Sequence, residues 1–153
     1  MLNLFNVDFI EFLELLNKHE VDYLLVGGYA VVLHGYNRST GDMDIWVNKS
    51  EENYTKLQKV YSDFAAPIFT KDDFLSKDFN VWSMGKEPVK IEVITEIIGL
   101  VFRNSIQNCK WYELNNFKIP FVDLEDLIKT KKASGRPKDI ADVEQLNKAR
   151  DTK

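Results

Sequence analysis

Apolar and polar positions alternate along the chain with two periods, helical and strand-like, in an order that predicts a mixed α+β fold. From Asp8 to Asn17, apolar residues fall at 9, 12, 13 and 16, one face of a helix that Asn6 or Asp8 is placed to cap. Residues 22–27 form a first strand, built on Tyr23-Leu24-Leu25-Val26 and running into Gly27-Gly28. Tyr29 to Tyr36 is short and apolar, as a buried helix would be, and residues 42–48 form a second strand. Ser50 caps a helix with Tyr54, Leu57, Val60, Tyr61 and Phe64 on one face, which Pro67 is expected to end.

Further on, Asp72 to Leu75 reads as a short helical turn. Residues 79–84 and 89–94 alternate like neighbouring strands joined by the turn Gly85-Lys86-Glu87-Pro88. Gly99 to Ser105 reads as loop or short helix, and 110–114 with 117–121 as a hairpin around Asn115-Asn116. Asp123 caps a helix carrying Leu124, Leu127 and Ile128 that stops at Gly135, and Pro137 opens the last helix. One domain over 1–153 is expected, with a core at 20–122 and C-terminal helices at 123–150.

Composition narrows the class. The 44% hydrophobic and 29% charged content are those of a soluble globular protein. No apolar run approaches the ~18–20 residues that a membrane span needs. The amino-terminal residues lack a basic start and meet Asp8 and Glu11 early, so no signal peptide and a cytoplasmic location are expected. Cys109, the single cysteine, excludes an internal disulfide and reads as buried filler. The net charge of −4 argues against a general nucleic-acid coat. From Lys129 to Lys153, however, eight Lys/Arg stand against four acids, so that tail is locally +4 and the remainder −8. It is either a phosphate-contacting surface or a solvated helix pair.

Asp42 and Asp44 lie two apart on a predicted strand and so face the same side. Two carboxylates on one face repel unless a cation sits between them. Glu92 interrupts an apolar strand, sharing a face with Lys90 and Ile94, and buried unpaired it would cost several kcal/mol, roughly. It therefore needs a partner, and a metal shared with Asp42 and Asp44 would be one. Hard oxygen ligands without clustered Cys or His exclude zinc, since His19 and His34 are too few and too far apart in the chain. An isolated Asp-x-Asp is more often a solvated edge strand. It also fails as a calcium loop, because Trp46 and Val47 stand where that loop needs an acid and a glycine. The preceding Gly27-Gly28 and the isolated Glu92 favour a metal–phosphate site.

A strand ending in Gly-Gly, thirteen intervening residues, Asp-apolar-Asp-apolar, and a later apolar-acid-apolar strand resemble the nucleotidyltransferase fold of the DNA polymerase β superfamily. The segment from Leu124 to Leu146 is similar to the C-terminal signature of small bacterial AbiEii-like nucleotidyltransferases. That resemblance implies a central mixed sheet flanked by helices, closed by a C-terminal helix pair. It implies that Asp42, Asp44 and Glu92 hold Mg²⁺ or Mn²⁺, with Glu92 assisting deprotonation of the acceptor. Gly27 and Gly28 would hold the phosphates of a nucleoside triphosphate through backbone N–H groups. Arg38, Ser39 and Thr40 would contact phosphate, as would Lys129 or Lys132 with Arg136 and Lys138, with Asp139 orienting one of these cations. Two departures stand out: Gly28 replaces the serine of many superfamily members, and Glu92 stands where Asp is commoner.

The implied activity is metal-dependent transfer of NMP from an NTP to a hydroxyl of RNA, protein or a small molecule. The implied setting is a toxin–antitoxin or phage-defence system with a cognate antitoxin or other protein partner, and no membrane. A nucleotide- or partner-binding protein without turnover on the same fold is the alternative.

Overall fold

The computed structural model describes residues 5–86 and 89–151. Its first helix, α1 (Val7–Lys18), starts where Asn6 Oδ1 accepts the Phe9 N–H at 2.9 Å, and it buries Phe9, Phe12, Leu13 and Leu16. Each such side chain taken from water stabilises the fold by about 1.5–3 kcal/mol. Strand β1 (Tyr23–Val26) leads directly into α2 (Gly27–Leu33), followed by β2 (Met43–Val47). The helix therefore begins at the glycines, two residues before the expected Tyr29, because the backbone turns within Gly27 itself at φ +68°.

Helix α3 (Glu51–Asp63) is capped by Ser50, as expected, but ends short of Pro67. Ala65 adopts φ +60°, and its N–H and that of Ala66 bond back to Ser62 O at 3.2 Å and Tyr61 O at 3.0 Å. A left-handed residue with paired back-bonds closes the helix without any contribution from the proline. Buried Asn53 donates to Asp22 O at 3.1 Å and Asn48 O at 2.8 Å and accepts from Asp22 N at 2.8 Å, pinning the start of β1 to the end of β2.

The remaining elements are α4 (Lys71–Leu75), β3 (Val81–Lys86), β4 (Val89–Ile94), α5 (Phe102–Gln107), β5 (Lys110–Leu114), β6 (Phe117–Phe121), α6 (Leu124–Ser134) and α7 (Pro137–Asp151). Glu87 and Pro88 of the expected β3–β4 turn lie outside the described residues. The segment expected as loop or short helix is helical from Phe102, whose ring packs edge-on to Trp46 at 5.1 Å.

The strands form one six-stranded mixed sheet in the order β3-β4-β2-β1-β6-β5. β2 pairs antiparallel with β1 and parallel with β4, in registers that set Asp44 opposite both Val26 and Glu92. Alternation sends Leu25, Met43, Ile45, Ile91 and Val93 to one face, beneath α1, α3 and α4. Leu24, Val26, Trp46 and Ile94 go to the other, beneath α2, α5, α6 and α7. Asp44 and Glu92, in phase with Trp46 and Ile94, therefore face the C-terminal helices. Among the described residues, no helix is long and apolar enough to cross a membrane.

Candidate active site

Two glycines let side chains close on the backbone at the junction of β1 and α2. A Cβ on Gly27 would meet Asp44 Oδ2 at 2.1 Å, and one on Gly28 would meet Thr40 Oγ1 at 2.1 Å. The Thr40 hydroxyl therefore occupies the space that a serine at position 28 would need, so the Gly28 departure comes with a hydroxyl supplied from another segment.

Asp42, just before β2, and Asp44, within it, line one polar cleft of about 290 Å³ together with Gly28, Arg38, Ser39, Thr40 and Lys138. Glu92 shares a hydrogen bond with Asp44, its register neighbour on β4. Burial, then the charges of Glu92 and Asp42 and that shared hydrogen bond, push the Asp44 carboxyl up to about 7, against the pull of Lys131. Glu92 does have a partner: Lys90 Nζ stands 2.9 Å from Glu92 Oε1 and 3.9 Å from Asp42 Oδ2.

Whether this cluster fits a divalent cation turns on four observations. Asp42 Oδ1 is buried without a hydrogen-bond partner, an acceptor of the kind a cation satisfies. Asp44 is crowded by like charge that a cation would relieve. In the other direction, among the described residues no three Asp, Glu, His or Cys side chains are grouped as metal ligands, and Glu92 is engaged by Lys90. The donor set thus suits a hard cation at Asp42 and Asp44, with Glu92 alongside.

A buried ionic network ties this centre to the last two helices. Arg38 donates from Nη2 to Asp142 Oδ2 at 3.2 Å, while its Nε stands 3.2 Å from Oδ1 without the alignment of a hydrogen bond. Lys131 Nζ lies between Asp142 Oδ2 at 2.9 Å and Asp139 Oδ1 at 3.2 Å. Asp139 also accepts from Arg136 Nε at 2.8 Å and from the Ser134 hydroxyl. Burial works to raise the Asp139 carboxyl, but hydrogen bonds from Ser134, Arg136 and Lys131 outweigh it and hold the group below its ordinary value. Asp139 thus holds two cations, Arg136 and Lys131, the second of them outside the expected set.

Of the basic residues expected here, Lys138 lines the polar cleft and Arg136 lines a neighbouring one. Lys129 and Lys132 are exposed and line neither cleft. Lys131, between them, is the lysine turned inward, and both it and Asp142 escaped the sequence reading. The signal was present: Leu124, Leu127, Ile128 and Lys131 continue one helical stripe, as do Asp139, Asp142, Val143 and Leu146.

The neighbouring cleft, of about 330 Å³, shares Asp44 with the polar one and takes in Gly27, Lys131 and Asp139, but its walls are mostly apolar. The two clefts meet at one carboxylate.

The family described as "Nucleotidyltransferase of unknown function (DUF6036)" matches residues 3–149. The chain belongs to this family. Among solved structures it is similar to the lincomycin-bound lincosamide antibiotic adenylyltransferase LnuA, at 19% identity and a TM-score of 0.58, over 95% of this chain and 98% of that one. It is similar also to a candidate nucleotidyltransferase (TM1012) from Thermotoga maritima, at 16% identity and a TM-score of 0.56, over 95% and 91% of the two chains. A comparison with curated proteins finds no match. The structural likenesses show the fold, and with the family they bear out the resemblance to nucleotidyltransferases.

Proposed function

We propose that this member of the nucleotidyltransferase family is an active, metal-dependent enzyme that moves NMP from an NTP to a hydroxyl acceptor, releasing pyrophosphate. The observation that carries the reading is the juxtaposition of Asp42 and Asp44 with the Gly28, Arg38, Thr40 and Lys138 cleft. Anionic oxygens for a cation and donors for phosphate share one cavity. Asp42 and Asp44 would hold Mg²⁺ or Mn²⁺, with Glu92 beside them; the ion would neutralise the phosphates and activate the α-phosphorus. Arg38 and Lys138, with the hydroxyls of Ser39 and Thr40, would orient the triphosphate, and Gly27 and Gly28 would let it approach the backbone. Arg136 and Asp139 would act from the adjoining cleft, whereas Lys129 and Lys132 could only contribute as surface charge.

Incubation with α-labelled NTPs, Mg²⁺ and acceptors tests the reading. Label should be transferred by the wild type and lost in Asp44→Asn; labelling unchanged by that substitution would place any activity elsewhere. A second reading, nucleotide or partner binding without turnover, is favoured by the Lys90 ammonium 2.9 Å from Glu92, which occupies the expected base. Under it, NTP binds with Mg²⁺ and no acceptor is labelled. The toxin–antitoxin or phage-defence setting, with a cytoplasmic protein partner, belongs to the same proposal and rests on the AbiEii-like resemblance alone.

A further inference from the structure

Beside Asp44, adjoining the polar cleft, lies the second cavity, whose walls are mostly apolar. Its walls include Ile94, Ile97, Ile98, Leu100 and Leu127, with Phe79 at the mouth. Phe79 and Ile98 leave 63% and 58% of their surface exposed, which is apolar area that a bound molecule would cover. The polar side chains lining it are largely committed to one another. Lys131, Ser134 and Arg136 all engage Asp139, and Glu96 pairs with Lys49 at 2.7 Å. The lining acids Asp44, Glu96 and Asp139 outnumber the cations Lys131 and Arg136, which disfavours a polyanion. At about 330 Å³, the cavity lies within the range of small-ligand sites, roughly 300–1,000 Å³.

We propose that this cleft is the acceptor site, and that the acceptor is a small molecule with an apolar body and a hydroxyl, rather than RNA or protein. The inference rests on the nucleotidyl-transfer reading and narrows its acceptor. With the NTP in the polar cleft, the acceptor hydroxyl reaches the α-phosphorus across Asp44, the residue common to both cavities. The acceptor oxygen forms a bond to the α-phosphorus and the bond from that phosphorus to the bridging oxygen breaks. Pyrophosphate leaves, and the hydroxyl proton passes to a carboxylate of the cluster. No oxidant or reductant is involved.

The test uses the full chain with Mg²⁺ and α-labelled NTP against three acceptor sets: drug-sized apolar alcohols, RNA oligonucleotides, and a mixture of folded proteins. Ile97→Glu is run beside the wild type, with Ile98→Glu at the exposed rim as a second variant and circular dichroism as the check of folding. The expected result is label on apolar alcohols. A charge buried in the cleft should lower that transfer by at least about tenfold, with the affinity for Mg²⁺·NTP, measured by titration, changed less than about twofold. Preferential labelling of RNA or protein, unaffected by either variant, would overturn the acceptor proposal and leave nucleotidyl transfer standing. If the variants weaken NTP binding as much as transfer, the cleft holds the nucleobase and the proposal falls. If NTP does not bind and no acceptor is labelled, the underlying reading falls and takes the proposal with it.

Discussion

Replacing Lys131 by Met removes the cation at the centre of the buried network while keeping most of the side-chain volume. In the folded chain the Lys131 side chain is 9% exposed, between Asp139 at 6% and Asp142 at 4%. Leaving a buried charge without its partner costs about 3–5 kcal/mol. Two acids would be orphaned, but not wholly: Arg38 still reaches Asp142, and Arg136 and Ser134 still reach Asp139. The low end of the range, about 3 kcal/mol, is therefore expected. For a chain of this size that corresponds to a fall in Tm of roughly 6–12 °C. Urea unfolding with an unchanged slope is the assay. The pH dependence has a definite sign. Asp139 lies below its ordinary value in the folded wild type. Its contribution is present above about pH 4 and is lost as pH falls through the folded value, so the gap between wild type and variant narrows on acidification. Adding Asp139→Asn to Lys131→Met should recover part of the loss. A loss below about 1 kcal/mol, or a gap that widens toward acid pH, would refute the claim that these residues form a paired, desolvated network.

Three further outcomes are expected. Asp44, raised to about 7, makes the metal-free protein less stable as pH rises from about 4 through 7, by up to a few kcal/mol; urea midpoints in chelator should show this slope, and Asp44→Asn should flatten it. Gly27→Ala combines φ +68° with a Cβ 2.1 Å from Asp44 Oδ2, so Mn²⁺ titration should show binding weakened by about tenfold or more if Asp44 holds the ion. Ala65→Gly relieves a left-handed alanine at the end of α3 and should raise stability by up to about 1 kcal/mol, read from the urea midpoint.

Local chemistry made much of the fold legible. Ser50 and Asp123 each cap the helix that follows, as their positions predict, and of the two candidates for α1 it is Asn6 rather than Asp8, because a side-chain oxygen at the cap meets an otherwise unpaired N–H. The phase of Lys90, Glu92 and Ile94 against Ile91 and Val93 also holds, since strand alternation has a period of two. The end of α3 was misjudged because proline is a loud signal, whereas a left-handed alanine leaves no mark in the sequence. Strand order was not readable from period at all: setting Glu92 beside Asp44 depends on the parallel β2–β4 pairing, a long-range choice. In the C-terminal helices the signal was read for charge rather than for phase. Counting lysines selected Lys129 and Lys132, while the helical stripe turns Lys131 inward to meet Asp139 and Asp142.

The central claim is that one cavity holds both the cation and the triphosphate. A crystal structure with Mn²⁺ and a non-hydrolysable NTP tests it most directly. The account predicts anomalous density for manganese against Asp42 and Asp44, and phosphate oxygens against Gly28, Arg38, Thr40 and Lys138. Nucleotide bound away from these carboxylates, or manganese absent from them at saturating nucleotide, would contradict it.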